Sequence, residues 1–240
     1  MSDTLVVNEI YLSLQGESTF SGLPCIFIRL TGCHLRCSYC DTVYAFKEGQ
    51  KQTLQEILDH IDRLAARYPE NQKPTVELTG GEPLLQHNSP TVVSALLEKG
   101  YEVLIETSGA IDISKVDSRA SRIMDIKCPS SGESERIDWN NLEHLTQKDE
   151  IKFVIGTQED YEWTKMVITD RQLVGRCELL LSWVSPLLPE QQDSCLNQVP
   201  SNHSPISRQE LVDRIVTDGL PVRFQLQMHK FIWPPEERGR

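Results

Sequence analysis

Basic residues are scarce in this chain: 24 Lys and Arg stand against 35 Asp and Glu, a net charge of −11. Phosphate backbones and anionic membrane surfaces are bound by clustered Lys and Arg, so the balance argues against nucleic acid and against a membrane surface as partners. Long apolar runs are missing as well. None approaches the roughly 18 residues of a membrane span, and the best candidates, 25–30 and 179–184, break at charge or polarity within a few residues. The sequence opens Met-Ser-Asp without a basic-then-apolar signal, from which a cytoplasmic protein is expected. There is no internal repeat. With 39% hydrophobic and 25% charged residues over 240 positions, the composition suits one well-buried core and is wrong for a disordered chain.

Seven cysteines, an odd count in a chain of this length, do not read as a disulfide framework. Cys25, Cys33, Cys37 and Cys40 crowd the first forty residues, and crowding in a reducing compartment points to metal. Cys25 precedes an apolar strand and reads as core. Cys128 reads as packing near a site, and Cys177 and Cys195 carry no signal.

Short strand-like runs alternate with helical ones. Strands are predicted at 26–30, 75–78, 103–105, 123–126, 151–155, 179–181 and 222–226. Between them, Thr53 and Glu56 form a capping box ahead of Leu54, Ile57, Leu58, Ile61, Leu64 and Ala65 at helical spacing. Ser89 as N-cap and Pro90 start a second helix that stops at Lys99 and Gly100, and Ser207 and Glu210 cap one that ends at Gly219. A weaker helix spans 160–172. Strands separated by helices mean parallel βαβ units and an α/β fold. The steps are too few for a full eight-fold barrel, which leaves a partial (β/α) barrel of about six parallel strands or an open sheet. One domain over 1–240 is expected, with an irregular excursion at 186–205 and a tail at 232–240 that suits neither regular helix nor central strand. Parallel sheets gather ligands at the carboxyl ends of their strands, so the residues just after each strand are the site candidates.

Directly after the first predicted strand comes Thr31-Gly-Cys-His-Leu-Arg-Cys-Ser-Tyr-Cys-Asp-Thr42. Cys33, Cys37 and Cys40 stand at C-x3-C-x2-C spacing. Three thiolates on one short loop can hold three irons of a [4Fe–4S] cube and leave the fourth iron to an exogenous ligand. A zinc knuckle and a ferredoxin-like carrier are the alternatives; structural zinc needs a fourth ligand, and His34 lies directly beside Cys33 rather than at the usual gap. With Tyr39 before the last cysteine, the loop resembles the signature of the radical S-adenosylmethionine superfamily. Later motifs fall in step: Thr79-Gly-Gly-Glu-Pro83, Glu106-Thr-Ser-Gly109 and Asp125-Ile-Lys127 each follow or end a predicted strand. The resemblance implies a partial barrel of radical SAM type, with the cluster loop after its first strand and Cys33, Cys37 and Cys40 on the cluster. It implies a cofactor pocket of Tyr39, Cys40, Asp41, Gly80, Gly81, Glu82, Ser108, Asp125, Ile126 and Lys127. In that pocket Tyr39 lies beside the adenine, the two glycines let backbone approach the ligand, and Glu82 with nearby carbonyls holds the methionine ammonium.

Asn8-Glu-Ile-Tyr-Leu-Ser-Leu-Gln-Gly-Glu17, Gly22-Leu-Pro24, Phe27-Ile-Arg-Leu-Thr-Gly-Cys33, Cys40-Asp-Thr42 and Gln227-Met-His-Lys-Phe231 resemble the 7-carboxy-7-deazaguanine synthases, over about residues 5–233. That resemblance implies conversion of 6-carboxy-5,6,7,8-tetrahydropterin to 7-carboxy-7-deazaguanine with loss of ammonia, in queuosine and 7-deazapurine biosynthesis. It also implies Leu14, Gln15, Gly16, Glu17, Arg29, Thr79 and His229 on the substrate, Mg²⁺ near Thr42, a flavodoxin or ferredoxin as reductant, and a homodimer. The residue chemistry suits this. Gln15 can donate and accept together against the pterin's amide edge, and Arg29 is a guanidinium in an otherwise apolar strand, suited to a carboxylate. The plainer readings are a surface turn for Gln15, an ion pair for Arg29, a structural histidine for His229 and an N-cap or turn for Thr42. Family members can end just after the His-Lys-Phe segment and cover the substrate with the chain end; nine residues follow Phe231 here, which leaves the reach of Arg240 open. Within the superfamily the rivals are an activase, against which the N-terminal segment weighs, and a nucleic-acid modifier, against which the acidic balance weighs.

Overall fold

All seven predicted strands form and lie side by side in one sheet. The computed structural model describes residues 4–234 and 237–239; Arg240 lies outside the described residues. The chain runs β1 (Thr4–Leu14), β2 (Pro24–Leu30), β3 (Gln50–Thr53), α1 (Leu54–Ala65), β4 (Thr75–Gly80), α2 (Ser89–Glu98) and β5 (Val103–Thr107). It continues β6 (Ser121–Ile126), β7 (Glu150–Ile155), α3 (Gln158–Asp170), β8 (Glu178–Trp183), α4 (Arg208–Asp218), β9 (Arg223–Gln225) and α5 (His229–Ile232). The sheet order is β3-β1-β2-β4-β5-β6-β7-β8-β9. Pairing is parallel from β2 to β9 and antiparallel for β1 and β3, which makes seven parallel strands among the described residues, one more than expected. Since the parallel strands follow one another in chain order, right-handed crossovers return on the same face of the sheet each time. The result is a partial barrel with its helices on the outside.

Two crossovers take a form that the sequence left open, and one expected N-cap needs correction. The crossover from β5 to β6 contains no helix, and that from β6 to β7 contains only 3-10 turns at Pro129–Ser131, Ser134–Arg136 and Trp139–His144. Both stretches are rich in Ser, Asp and Asn, whose side chains compete for backbone partners; Asp117 accepts from the backbone N–H of Arg119 and Asn141 caps that of Ile113. The N-cap of α2 is Asn88, not Ser89, whose hydroxyl donates to the carbonyl of Pro83 at 2.5 Å. The predicted capping boxes of α1 and α4 are present, and α3 begins two residues early behind a Thr157–Asp160 box.

The antiparallel strand β1 escapes a period-2 reading because of a bulge. The register with β2 shifts between Val7 and Glu9. Leu5 and Val7 face the helices before it, Ile10 and Leu12 after it, so apolar residues change from odd to even positions. Beyond the bulge Glu9 and Tyr11 turn to the inner face, where Tyr11 stacks on Phe27 with ring centroids 5.1 Å apart. The other strands alternate without interruption. Ile26, Ile28, Val76, Leu78, Val103 and Ile105 pack under α1 and α2, while Met124, Ile126, Ile151, Phe153, Leu179 and Leu181 pack under α3 and α4. The opposite faces of these strands carry Arg29, Glu77, Glu106, Asp125 and Lys152, side chains that no apolar core would accept. No helix among the described residues is long and apolar enough to cross a membrane.

Arg122 and Asp149 form a pair at the amino end of β6, with side chains 3% and 0% exposed. The Asp149 carboxylate accepts from the Arg122 backbone and guanidinium, and from Thr146. Asp149→Ala should therefore cost about 3–5 kcal/mol by stranding a buried guanidinium, a fall of roughly 10 °C in Tm. Arg119→Ala, on an exposed pair with Glu98, should not move the transition. Thermal denaturation followed by circular dichroism checks both, and equal shifts would refute the contrast.

Candidate active site

At the carboxyl end of the parallel strands the inner face opens into a cavity of about 810 Å³. Every site residue expected from sequence lines it except Glu82 and Ile126. The Ile126 side chain points outward into the core under α3. Glu82 is 0% exposed, and its carboxylate accepts from Leu84 N at 3.1 Å, Thr107 Oγ1 at 2.8 Å, Ser108 N at 2.8 Å and Ser108 Oγ at 2.6 Å. Its oxygens are thus spent on tying the end of β4 to the end of β5, and Ser108 is what reaches the cavity.

The paired glycines line the cavity and also make room for the cysteine loop. A Cβ on Gly80 would stand 2.3 Å from the Leu30 carbonyl oxygen, and one on Gly81 would stand 2.3 Å from that of Gly32 and 2.7 Å from Cys33 Cβ. Their bareness lets the start of the loop lie directly on the end of β4, where Gly81 N donates to Leu30 O and Glu82 N to Gly32 O at 2.9 Å. The rest of the loop is held by the turn after β6. Ser38 donates through N to Ser131 O at 3.1 Å and through Oγ to Ser130 O at 2.7 Å. Arg36 N donates to Glu133 Oε1 at 2.7 Å, and Arg36 O accepts from Asn197 N at 2.8 Å, within the 186–205 excursion. That turn is fixed in its own right by the buried Asp160, whose carboxylate accepts from Ser130 N at 2.8 Å, Ser130 Oγ at 2.5 Å, Gly156 N at 3.0 Å and Thr157 N at 3.1 Å.

So held, Cys33, Cys37 and Cys40 share one wall of the cavity. Burial pushes the thiol of Cys37 up to about 11 and that of Cys40 up to about 12, so a thiolate there calls for a cation beside it. Among the described residues no three His, Cys, Asp or Glu side chains converge as ligands of a single ion; ligands of separate irons in a cube need not. Next to them Tyr39 OH and Asp125 Oδ1 are buried without hydrogen-bond partners. A donor-acceptor hydroxyl and a carboxylate oxygen left open at the strand ends fit a polar ligand such as a nucleoside. Asp125 is paired through Oδ2 with Lys127 at 2.9 Å. Cys25 and Cys128 are buried away from this wall, the latter against Thr164.

The facing wall is ionic. Arg29 donates through Nε to Glu9 at 2.8 Å and through Nη2 to Tyr11 OH at 2.9 Å, so it is in an ion pair and lines the cavity as well. Lys152, 3% exposed, places its ammonium against Glu106, 3.0 Å from Glu17 and 3.5 Å from Asp125. Burial raises the Glu17 carboxyl, but the charges of Lys152 and His229 and a bond from Gln227 outweigh it and bring it down to about 2. His229 is pushed down, chiefly by burial, toward the neutral imidazole. Its ring lies where a Cβ on Gly16 would be, 2.4 Å from Nδ1, which accounts for glycine at that position. Thr42 precedes a 3-10 turn without capping it; its hydroxyl donates to Asp41 Oδ1 at 2.8 Å, while Asp41 Oδ2 meets Lys230 at 2.5 Å. The tail crosses the mouth of the cavity, where Arg238 stacks on Tyr44 at 3.9 Å and pairs with Glu48 at 2.9 Å.

Sequence reasoning missed Lys152 and Glu77, and met Glu106 only as the first residue of the Glu106–Gly109 motif. The signal was the one that singled out Arg29, a charged residue inside an apolar strand: Thr-Val-Glu-Leu in β4, Val-Leu-Ile-Glu-Thr in β5, Ile-Lys-Phe-Val in β7.

Residues 27–127 match the model of the radical SAM superfamily. A 7-carboxy-7-deazaguanine synthase from Koribacter versatilis is 40% identical over 234 residues, covering 97% of this chain and 99% of that protein. Another, from Chlorobaculum tepidum, is 37% identical over 238 residues, with 98% and 97% covered. The crystal structure of QueE from Escherichia coli has the same fold, with a TM-score of 0.69 at 22% identity over 94% of this chain and 95% of that one.

Asp160→Ala removes the anchor of the turn on which the cysteine loop rests, forfeiting hydrogen bonds of about 1–3 kcal/mol each. Amide exchange at Ser38 and Arg36 should speed by at least about tenfold while exchange in β4 and β5 stays slow. Unchanged exchange in the loop would show that it is held by other contacts.

Proposed function

The chain belongs to the 7-carboxy-7-deazaguanine synthase family of the radical SAM superfamily, and from that membership we propose that it converts 6-carboxy-5,6,7,8-tetrahydropterin to 7-carboxy-7-deazaguanine and ammonia. The observation that carries this reading is that one cavity of about 810 Å³ is lined by both the cysteine wall and the Gln15, Glu17, Arg29 and His229 wall. A volume of that order holds a cofactor and a small heterocycle together. Product and ammonia contain the atoms of the substrate, so the conversion needs no net oxidant.

Cys33, Cys37 and Cys40 would hold a [4Fe–4S] cluster, and Gly80, Gly81, Ser108, Asp125 and Lys127 would surround S-adenosylmethionine. Together these groups would supply one-electron chemistry. What the chain's own groups do is positional and electrostatic. Nη1 of Arg29 and the second N–H of Nη2 face the substrate carboxylate, with Glu9 and Tyr11 fixing the plane of the guanidinium. Glu17, kept ionised by Lys152, and neutral His229 address the reduced ring's nitrogens. Gln15 reads the pyrimidine edge, and Thr79 lies between strand end and cavity. The tail at the mouth limits water, which preserves a reactive intermediate. The Thr42 hydroxyl, beside the Asp41 carboxylate, would hold Mg²⁺ through hard oxygen donors, and the ion would help orient the substrate. The protein acts as a single domain, as a homodimer in the cytoplasm, with flavodoxin or ferredoxin as electron donor.

Turnover is tested anaerobically with reconstituted protein, cofactor, reductant and the carboxy-tetrahydropterin. One deazaguanine acid and one ammonia per substrate are expected, and Cys37→Ala should retain the fold but lose turnover with a reduced iron count. Product formation at the parent rate by Cys37→Ala would refute the assignment. Thr42→Val keeps the shape and deletes the oxygen, so it should lower turnover several-fold and flatten the magnesium titration while iron content stays the same. A titration that overlays the parent's would place the metal elsewhere.

A further inference from the structure

Glu77 is a carboxyl for which neither the expected cofactor set nor the expected substrate set has a use. It sits in the middle of β4 between Val76 and Leu78, which face the helices, so strand alternation turns it into the cavity. It is 2% exposed. No ion pair reaches it; the nearby ammonium of Lys152 is engaged by Glu17, Glu106 and Asp125 instead. One oxygen, Oε2, accepts from Gln15 Nε2, and the other has no hydrogen-bond partner among the described residues. Burial and then the charge of Glu106 push its carboxyl well above the usual range. In the empty site the carboxyl is thereby held toward its protonated form, and two N–H donors arriving at the open oxygen would draw it to the carboxylate that accepts them.

Gln15 is fixed at the same time. Its Oε1 accepts from Glu17 N at 2.9 Å and its Nε2 donates to Glu77, so the amide cannot flip without setting two donors against each other. The open oxygen of Glu77 and the second lone pair of Gln15 Oε1 then offer acceptors from neighbouring side chains on one floor of the cavity. A 2-amino-4-oxopyrimidine ring has the matching edge, with its exocyclic amino group and adjacent ring N–H as two donors side by side, spaced as in a guanidinium fork.

We propose that Glu77, together with Gln15, reads the 2-amino and ring N–H edge of the pterin and so determines specificity for it. This rests on the function proposed above. A site built to bond a substrate N–H rejects an analogue that lacks it by far more than an apolar pocket could, because the partner carboxyl is left unpaired. The enzyme therefore discriminates against the 2-deamino analogue of the substrate, and the discrimination resides in Glu77.

The test measures Kd and kcat/KM for 6-carboxy-tetrahydropterin and for its 2-deamino analogue, with parent and Glu77→Gln proteins matched for iron content. The parent should prefer the natural compound by at least about 100-fold. Glu77→Gln replaces one acceptor by a donor, so it should weaken the natural compound by roughly 30-fold or more, mostly through Kd and KM, and shrink the preference below about tenfold. A preference that survives at its full size in Glu77→Gln would overturn the proposal. Should that variant lack a cooperative thermal transition, Glu77→Asp, which keeps the carboxyl but draws it back, carries the same comparison and should lie between the two. A parent that binds the pterin with this preference yet yields no deazaguanine acid would overturn the function and leave the reading of the edge standing; a parent without the preference would overturn the reading of the edge alone.

Discussion

The inner face of this sheet is possible only because the ammonium of Lys152 is surrounded. Taking one such ion out of water costs several kcal/mol, and nothing apolar could offset it. Glu17 from the segment after β1, Glu106 from the end of β5 and Asp125 from β6 close around it. These carboxylates would repel one another without the cation, and it would be stranded without them. The arrangement therefore fixes the relative positions of elements that are far apart in sequence. It also joins the two halves of the cavity, since Glu17 belongs to the wall assigned to substrate and Asp125 to the wall assigned to cofactor. With its carboxyl drawn down to about 2, Glu17 stays charged at any working pH, which keeps the network intact across the physiological range.

The cysteine loop shows the complementary principle, a functional segment shaped by its neighbours. Its own residues supply ligands and one glycine with positive φ, Gly32. Its course is imposed by β4, through the contact that Gly80 and Gly81 permit, and by the turn after β6, through Ser38 and Arg36. Asp160 stands behind that turn, so the N-terminus of α3 reaches the cysteine wall through two consecutive hydrogen-bonded links, Asp160 to Ser130 and Ser130 to Ser38, and then along the chain to the cysteines that flank Ser38. Preorganisation of this kind gathers the three thiols on one wall by contacts with the rest of the fold.

Sequence made the parallel strands legible because each is a short apolar run bounded by turn residues, and it made the motif residues legible because they follow those strands. β1 was hidden by its bulge, which breaks the two-residue period that identifies a strand. β3, Gln-Lys-Gln-Thr, is an exposed edge strand with no apolar face to announce it. The helix-free crossovers were hidden because strand alternation implies a connection without specifying its conformation. In the cavity, Cys33, Arg29 and Asp125 could be named from pattern. The role of Glu82 could not, since its four accepted bonds come from residues on two separate strand ends whose meeting is a tertiary fact.

Tyr44 shows how the tail and the floor of the cavity are connected without depending equally on one another. Its ring carries Arg238 at 3.9 Å, its hydroxyl donates to Glu9 at 3.0 Å, and Glu9 accepts from Arg29 at 2.8 Å. An unbroken series of contacts thus runs from the outer arm to the guanidinium. The strengths are uneven. The Arg29–Glu9 pair is charge-assisted and largely buried, with side chains 15% and 18% exposed, whereas the Arg238–Glu48 pair is about half exposed on both sides and adds little. Loss of the arm would leave Arg29 in place, because Glu9 and Tyr11 hold it by themselves. What the arm controls is water. With Trp233, Pro234 and Arg238 over the mouth, the effective dielectric around Arg29 falls, and a carboxylate reaching its Nη1 is held more tightly than the same pair would be in an open cleft. Position is thus set by the strands and the strength of the grip by the tail, a division that lets Trp233, Pro234 and Arg238 vary without moving the site they cover.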